Sequence, residues 1–132
     1  MRKLIFLALM GIAMCYNPVK AQNTPNKVYD FVSVEKQPSF PGGISNFYRY
    51  LSHEIKYPVA AQRNNTKGKV FATFVVEKNG ALTDIQITRS LSPETDKEAL
   101  RVLNKSPRWT PGLINGKPVR VKYNINVNFQ LK

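Results

Sequence analysis

From Val119 to Leu131 every second residue is apolar and every residue between is polar. Val119, Val121, Tyr123, Ile125, Val127, Phe129 and Leu131 alternate with Arg120, Lys122, Asn124, Asn126, Asn128, Gln130 and Lys132. A period of two marks a strand with one face in a core and the other in water. At ~3.3 Å per residue the run spans ~43 Å, so part of its length is expected to lack a neighbour on one or both sides. One wholly apolar face also needs a cover, which the rest of the chain has to supply.

The preceding segments supply it. Ile44, Phe47, Tyr48, Leu51 and Ile55 recur at spacings of three and four, which predicts a helix over 44–54 behind the Pro41-Gly42-Gly43 turn. Tyr57-Pro58 stops it, because a residue before proline is pushed out of the helical region, and Pro58 opens a short second helix through Arg63. Lys69 to Glu77 is a strand apolar on both faces. Asn79-Gly80 follows, a pair that tolerates positive φ at both central positions of a tight hairpin, and Leu82 to Ser90 returns as its partner with Ile85 and Ile87. Ser92-Pro93-Glu94 begins another helix, with a hydroxyl cap, a proline at the first position and acids near the positive dipole end. Ala99, Leu100 and Leu103 give that helix an inner face. Pro107 ends it, and Asn115-Gly116 is a second turn signal.

Helix, hairpin, helix and long strand predict an α+β fold: a two-layer sandwich in which a three-stranded antiparallel sheet carries its helices on one face. Residues 22–38, with Val28, Phe31 and Val34 as apolar points, read as a short lead-in strand or extended arm ahead of a domain over 39–132.

The N-terminus reads as an export signal over 1–21. Arg2 and Lys3 precede an apolar run from Leu4 to Tyr16, too short for the ~20 residues a spanning helix needs. Val19-Lys20-Ala21 places short residues where a signal peptidase reads, so cleavage before Gln22 and a soluble periplasmic product are expected. Met14 stands where a small residue is required before a lipidated cysteine, which argues against acylation of Cys15. Cys15 is the sole cysteine and leaves with the signal, so the mature chain forms no disulfide and no cysteine metal site. Removing Arg2, Lys3 and Lys20 from the 20 basic residues leaves 17 against 8 acids, a charge of +9 that favours anionic partners. Nucleic acid fits poorly, since the bases are spread without an aromatic and arginine cluster. Peptidoglycan, anionic lipid head groups and acidic receptor loops fit better. A basic surface that only keeps the protein soluble is the plain alternative.

Taken together, several residues form a recognisable set: Tyr57-Pro58 with Ala60-Ala61, Gly68-Lys69-Val70, Asn79-Gly80, Glu98-Ala99-Leu100, Trp109 with Pro111-Gly112, Asn115-Gly116-Lys117-Pro118-Val119 and Asn128-Phe129. Over residues 39–132 the chain resembles the C-terminal domain of TonB, and Ser39-Phe40-Pro41-Gly42-Gly43 resembles the lead-in of members from Bacteroidetes-type bacteria. The resemblance implies a periplasmic module that grips the N-terminal box of TonB-dependent outer-membrane receptors, the box adding as a strand along the edge of the final strand. It assigns that edge to Arg120, Val121, Lys122, Tyr123, Asn124, Ile125, Asn126, Val127 and Asn128, with Tyr57 and Pro58 beside the box. It also leaves an intertwined homodimer open. Two departures stand out. Force-transmitting members need a membrane helix and a long Pro-rich span, whereas Gln22 to Ser39 reaches only ~60 Å fully extended. Some members also carry an arginine two positions past the Tyr-Pro proline, where this chain has Ala60.

Catalysis finds little support in the residues. His53 is the lone histidine, with no nucleophile or paired carboxylate signalled beside it. Glu94, Asp96 and Glu98 sit where a helix dipole favours acids, and no phosphate loop, zinc spacing or nucleophile elbow occurs. A binding module without a cofactor or metal is therefore expected, with a peptidoglycan-binding or structural envelope module as the alternative. Trp109 between helix and strand is expected to pack in the core rather than stack on a ligand.

Overall fold

The computed structural model describes residues 26–130. The expected signal peptide, the start of the arm, Leu131 and Lys132 lie outside the described residues. In chain order the elements are β1 (Val28–Asp30), a 3₁₀ turn (Phe31–Ser33), α1 (Ile44–Glu54), α2 (Val59–Arg63), β2 (Gly68–Val76), β3 (Leu82–Arg89), α3 (Pro93–Asn104), β4 (Gly112–Ile114) and β5 (Lys117–Phe129).

The alternating segment is β5, and it holds the sheet together. It runs antiparallel to β2 in unbroken register from Gly68 opposite Phe129 to Val76 opposite Val121. Val121, Ile125, Val127 and Phe129 are buried while Lys122, Asn124 and Asn128 are exposed, as a period of two requires. The sheet is not the expected three-stranded antiparallel one. Its order is β1-β5-β2-β3, with β4 also pairing with β5, and β1 lies parallel to β5 with Val28, Tyr29 and Asp30 opposite Arg120, Val121 and Lys122. Strands of three residues are too short to show a period, which hid β4 and left the lead-in readable only as a short strand or an arm with no pairing partner assigned.

Both helices pack on the buried face. In α1, Phe47 and Leu51 are buried; in α3, Ala99, Val102 and Leu103 are. The expected cap of α3 is present, with Ser92 Oγ accepting the Thr95 N–H and Thr95 Oγ1 accepting the Ser92 N–H. The helices are tied by the Tyr50 hydroxyl donating to the Val102 carbonyl (2.9 Å) and by Arg101 Nη2 donating to the Glu54 carbonyl (2.9 Å). Trp109, only 3% exposed, is a core residue as expected. Its ring meets Phe40, Phe47, Phe74 and Tyr123 edge-on at centroid distances of 5.0–5.8 Å.

Of the two Asn-Gly pairs, Asn115-Gly116 forms a turn as expected, and Asn79-Gly80 departs from the expected tight turn. Asn115 (φ 52°) and Gly116 (φ 74°) both adopt positive φ and join β4 to β5 as a two-residue hairpin. Between β2 and β3, Asn79 does not have positive φ. The Glu77 N–H donates to the Ala81 carbonyl and the Gly80 N–H to the Glu77 carbonyl, which makes a longer loop with only Gly80 at positive φ (88°). Gly80 is further constrained by contact, because the Trp109 N–H donates to its carbonyl (2.8 Å) and a Cβ on it would meet the Trp109 carbonyl oxygen at 2.0 Å. Beyond the turn, β3 shifts register twice against β2, and Asp84 adopts positive φ (49°).

These contacts rank the two glycines. Gly116→Ala meets open space and should cost only backbone strain, of order 1 kcal/mol, whereas Gly80→Ala adds a clash with the Trp109 backbone and should cost about 2–4 kcal/mol. Denaturant unfolding of the two variants tests the ranking; equal losses would show that the Trp109 contact relaxes freely.

Candidate functional site: the outer edge of the long strand

From Val121 to Phe129 one side of β5 is taken by β2, and the other is taken only in part. β4 pairs with Lys117, Pro118 and Val119, and β1 with Arg120, Val121 and Lys122. Among the described residues no strand pairs with the outer edge from Tyr123 to Phe129. The edge residues assigned by resemblance therefore divide. Arg120, Val121 and Lys122 lie under the arm, while Tyr123, Asn124, Ile125, Asn126, Val127 and Asn128 keep an outer edge without a neighbouring strand.

A groove of about 840 Å³ accompanies the far end of this edge, lined by Tyr48, Leu51, Ile55 and Tyr57 together with Asn128 and Phe129. Its helical wall is the C-terminal half of α1. Ile44 (48% exposed) and Tyr48 (40%) stay accessible although they belong to the apolar stripe of that helix. The sequence spacing placed these residues on one helical face with Phe47, Leu51 and Ile55. The available signal was the width of the stripe, since five apolar positions over 44–55 cover more surface than one flat sheet contact buries. At the near end the Tyr123 phenol is pushed above its ordinary value by burial and by the neighbouring Tyr48, so it remains a neutral donor.

Tyr57 stands beside the Phe129 end of β5. Its ring meets Phe129 edge-on at 5.8 Å and its hydroxyl donates to the Thr66 carbonyl just ahead of β2. Pro58 caps α2 and does not line the groove. Ala60 is exposed and offers no charge there.

The turn carrying Tyr57 is held by Glu98, which the sequence reading took for a dipole acid. Glu98 accepts the Lys56 N–H (2.6 Å) and two bonds from Arg101 (2.8 and 2.7 Å), and Arg101 reaches on to the Glu54 carbonyl. The Arg101 bonds hold the Glu98 carboxyl below its ordinary value. Glu77 at the sheet's other end is likewise lowered, chiefly by Arg120, which grips it through two nitrogens at 2.8 and 3.0 Å. The remaining sequence candidates do not assemble. His53 is exposed, and among the described residues no group of His, Cys, Asp and Glu could hold a metal ion.

Both lowered carboxyls favour the folded state above the unfolded glutamate value and lose that contribution as pH falls through their folded values. Stability should therefore change little from neutral pH down to about 4.5, the ordinary glutamate value, and fall below it. Glu98→Ala should flatten part of that acid slope and shift the Tyr57 and Phe129 ring resonances. An unchanged slope and unmoved rings would show that Glu98 does not position the turn.

No curated protein matches the chain. Solved structures do. The solution structure of the Pseudomonas aeruginosa TonB C-terminal domain is 28% identical, with a TM-score of 0.50, over 59% of this chain and 79% of that one. The Helicobacter pylori TonB C-terminal domain is 21% identical, with a TM-score of 0.49, over 70% of this chain and 89% of that one. The family model described as Gram-negative bacterial TonB protein C-terminal matches residues 53–131, which take in α2, the hairpin, α3 and all of β5. With more than half of its length inside that match, and with the long strand, its open edge and the Tyr57 turn all inside it, the chain belongs to the TonB C-terminal domain family.

Proposed function

We propose that the protein is a periplasmic, non-catalytic binding module that captures the N-terminal box of TonB-dependent outer-membrane receptors by strand addition to β5, supporting or modulating energised uptake. The observation that carries this reading is the outer edge from Tyr123 to Phe129. It is regular, holds no proline or glycine, and lies beside a groove of mixed apolar and polar lining. Unpaired N–H and C=O groups on such an edge bind another strand whatever its side chains, and a neighbouring groove takes the alternate side chains that point inward. Among the described residues no helix is long and apolar enough to cross a membrane, and the expected export signal supports the periplasmic placement.

Strand addition and charge-driven adhesion to the cell wall make opposite forecasts. Main-chain hydrogen bonds tolerate salt, whereas a basic surface held to peptidoglycan loses its grip as charges are screened. Pull-down with receptor-box peptides should therefore succeed at low and at high salt. Lys122→Ala, which leaves the backbone donor in place, should bind within about twofold of the parent, a difference of roughly 0.4 kcal/mol.

Backbone donors along a strand point alternately to its two neighbours, so proline substitutions separate the two sides. Asn124→Pro and Ile125→Pro remove N–H groups from opposite sides, and Asn126→Pro with Val127→Pro forms a second pair in which Asn126 spares the core. One parity should lose peptide binding at least tenfold, about 1.4 kcal/mol, and keep the fold; the other should damage the ladder with β2. Binding that survives both parities, or that disappears with salt and with Lys122→Ala, would replace strand addition by the charged-surface mechanism.

A further inference from the structure

The arm occupies the same edge of β5 that the proposed ligand needs, and its position decides how that ligand can lie. β1 covers Arg120 to Lys122 and stops; the chain then turns away through Phe31–Ser33, with the Phe31 ring edge-on against Tyr123 at 4.9 Å. We propose that this arm is a fixed register stop, which confines an added strand to the positions from Tyr123 onward and so determines which of its side chains face the groove. The inference rests on the strand-addition reading above.

The arm is pinned on both sides of β1, which makes it a wall and not a removable occupant. Ahead of it, Arg120 Nη1 donates to the Asn26 carbonyl (2.6 Å) while the same guanidinium grips Glu77. Behind it, the Glu35 and Lys36 N–H groups donate to the Leu113 carbonyl (3.0 and 3.1 Å), the Glu35 carboxylate accepts the Asn115 N–H (2.9 Å), and Ser39 exchanges backbone bonds with Thr110. Pro38 and Phe40 are then buried in the core. Displacing the three residues of β1 would strain a segment held at Asn26 and again from Glu35 to Phe40.

A stop is useful here because main-chain pairing alone does not choose a register. A slip of one residue exchanges the faces of every side chain in an added strand, so its inward apolar residues would leave the groove for the polar face of Asn124, Asn126 and Asn128. The β5 edge offers little against such a slip, since its ladder is regular and its outward residues are alike. Phe31 supplies the missing landmark. It lies on Tyr123, the first inward-facing residue of the open stretch, and closes the end at which a strand could otherwise slide toward Arg120.

The experiment uses the mature chain and a synthetic peptide copying the N-terminal box of an outer-membrane receptor, with a nitroxide at one end or the other. Whichever label lies nearer the arm should broaden the amides of Tyr123 and Asn124 in the parent. In the double variant Tyr29→Pro, Phe31→Ala the broadening should spread to Arg120–Lys122, while the β2–β5 amide shifts report an intact ladder. A second measurement needs no variant: lengthening the peptide at its arm-proximal end beyond the residue opposite Tyr123 should change the parent's affinity less than twofold. Broadening that stays put in the folded variant, or affinity that climbs tenfold or more with added residues, overturns the register stop and leaves strand addition standing. Absence of peptide binding to the parent overturns both.

Discussion

The ladder between β2 and β5 is the constraint on which the rest of the structure depends. It sets Val70, Ala72, Phe74 and Val76 beside Val121, Ile125, Val127 and Phe129 as one buried surface, and α1 and α3 have no other apolar face to cover. Burying one such side chain is worth about 1.5–3 kcal/mol, so the ladder gathers the largest favourable term in the fold onto a single sheet face. The same strand continues past the end of β2, where β4 and β1 attach to it. Its length is therefore what lets one segment serve as both core strand and edge.

Trp109 links that core to the loops. Its indole sits among Phe40, Phe47, Phe74 and Tyr123, which come from the segment joining the arm to α1, from α1, from β2 and from β5, and its Nε1 donates to Ser106 Oγ (3.0 Å). Its backbone meanwhile closes on Gly80. A single residue between α3 and β4 thus fixes the hairpin loop relative to the helices, and Phe40 draws the arm into the same cluster. The arm is consequently part of the folded unit from Asn26 onward, although the family match begins only at residue 53.

Most of the scaffold was legible in the sequence because it obeys long periods or local chemistry. The bounds of α1, the cap of α3, the two hairpin strands and the face assignment of β5 follow from spacings of two, three and four and from Ser92-Pro93. What escaped has a common physical character. β4 is three residues long, too short to show a period, and the lead-in read as a strand or an arm is settled as β1 only by partners far along the chain. Asn79-Gly80 and Asn115-Gly116 look alike as dipeptides, yet the close approach of Trp109 selects a different turn at Gly80. The groove escaped because periodicity reports which residues share a face, not which of them stay accessible. Glu98 was assigned to the dipole because its partner, the Lys56 N–H, is a backbone group invisible to side-chain pattern.

The two outer strands show why the edge of β5 is the one to read as a site. β3 is also an edge strand, and an exposed edge is an aggregation hazard that folds commonly blunt. Two register shifts and the positive φ of Asp84 break its regularity, while Lys78 and Arg89 put charge at its ends. No such device occurs along β5 from Tyr123 to Phe129, where the register with β2 is unbroken and the outward residues are mainly asparagines. Solubility would be served by bulging or charging both edges. Leaving one regular, uncharged and backed by a groove with accessible Tyr48 favours pairing on that side alone, and the arm limits the open stretch to the part that adjoins the groove.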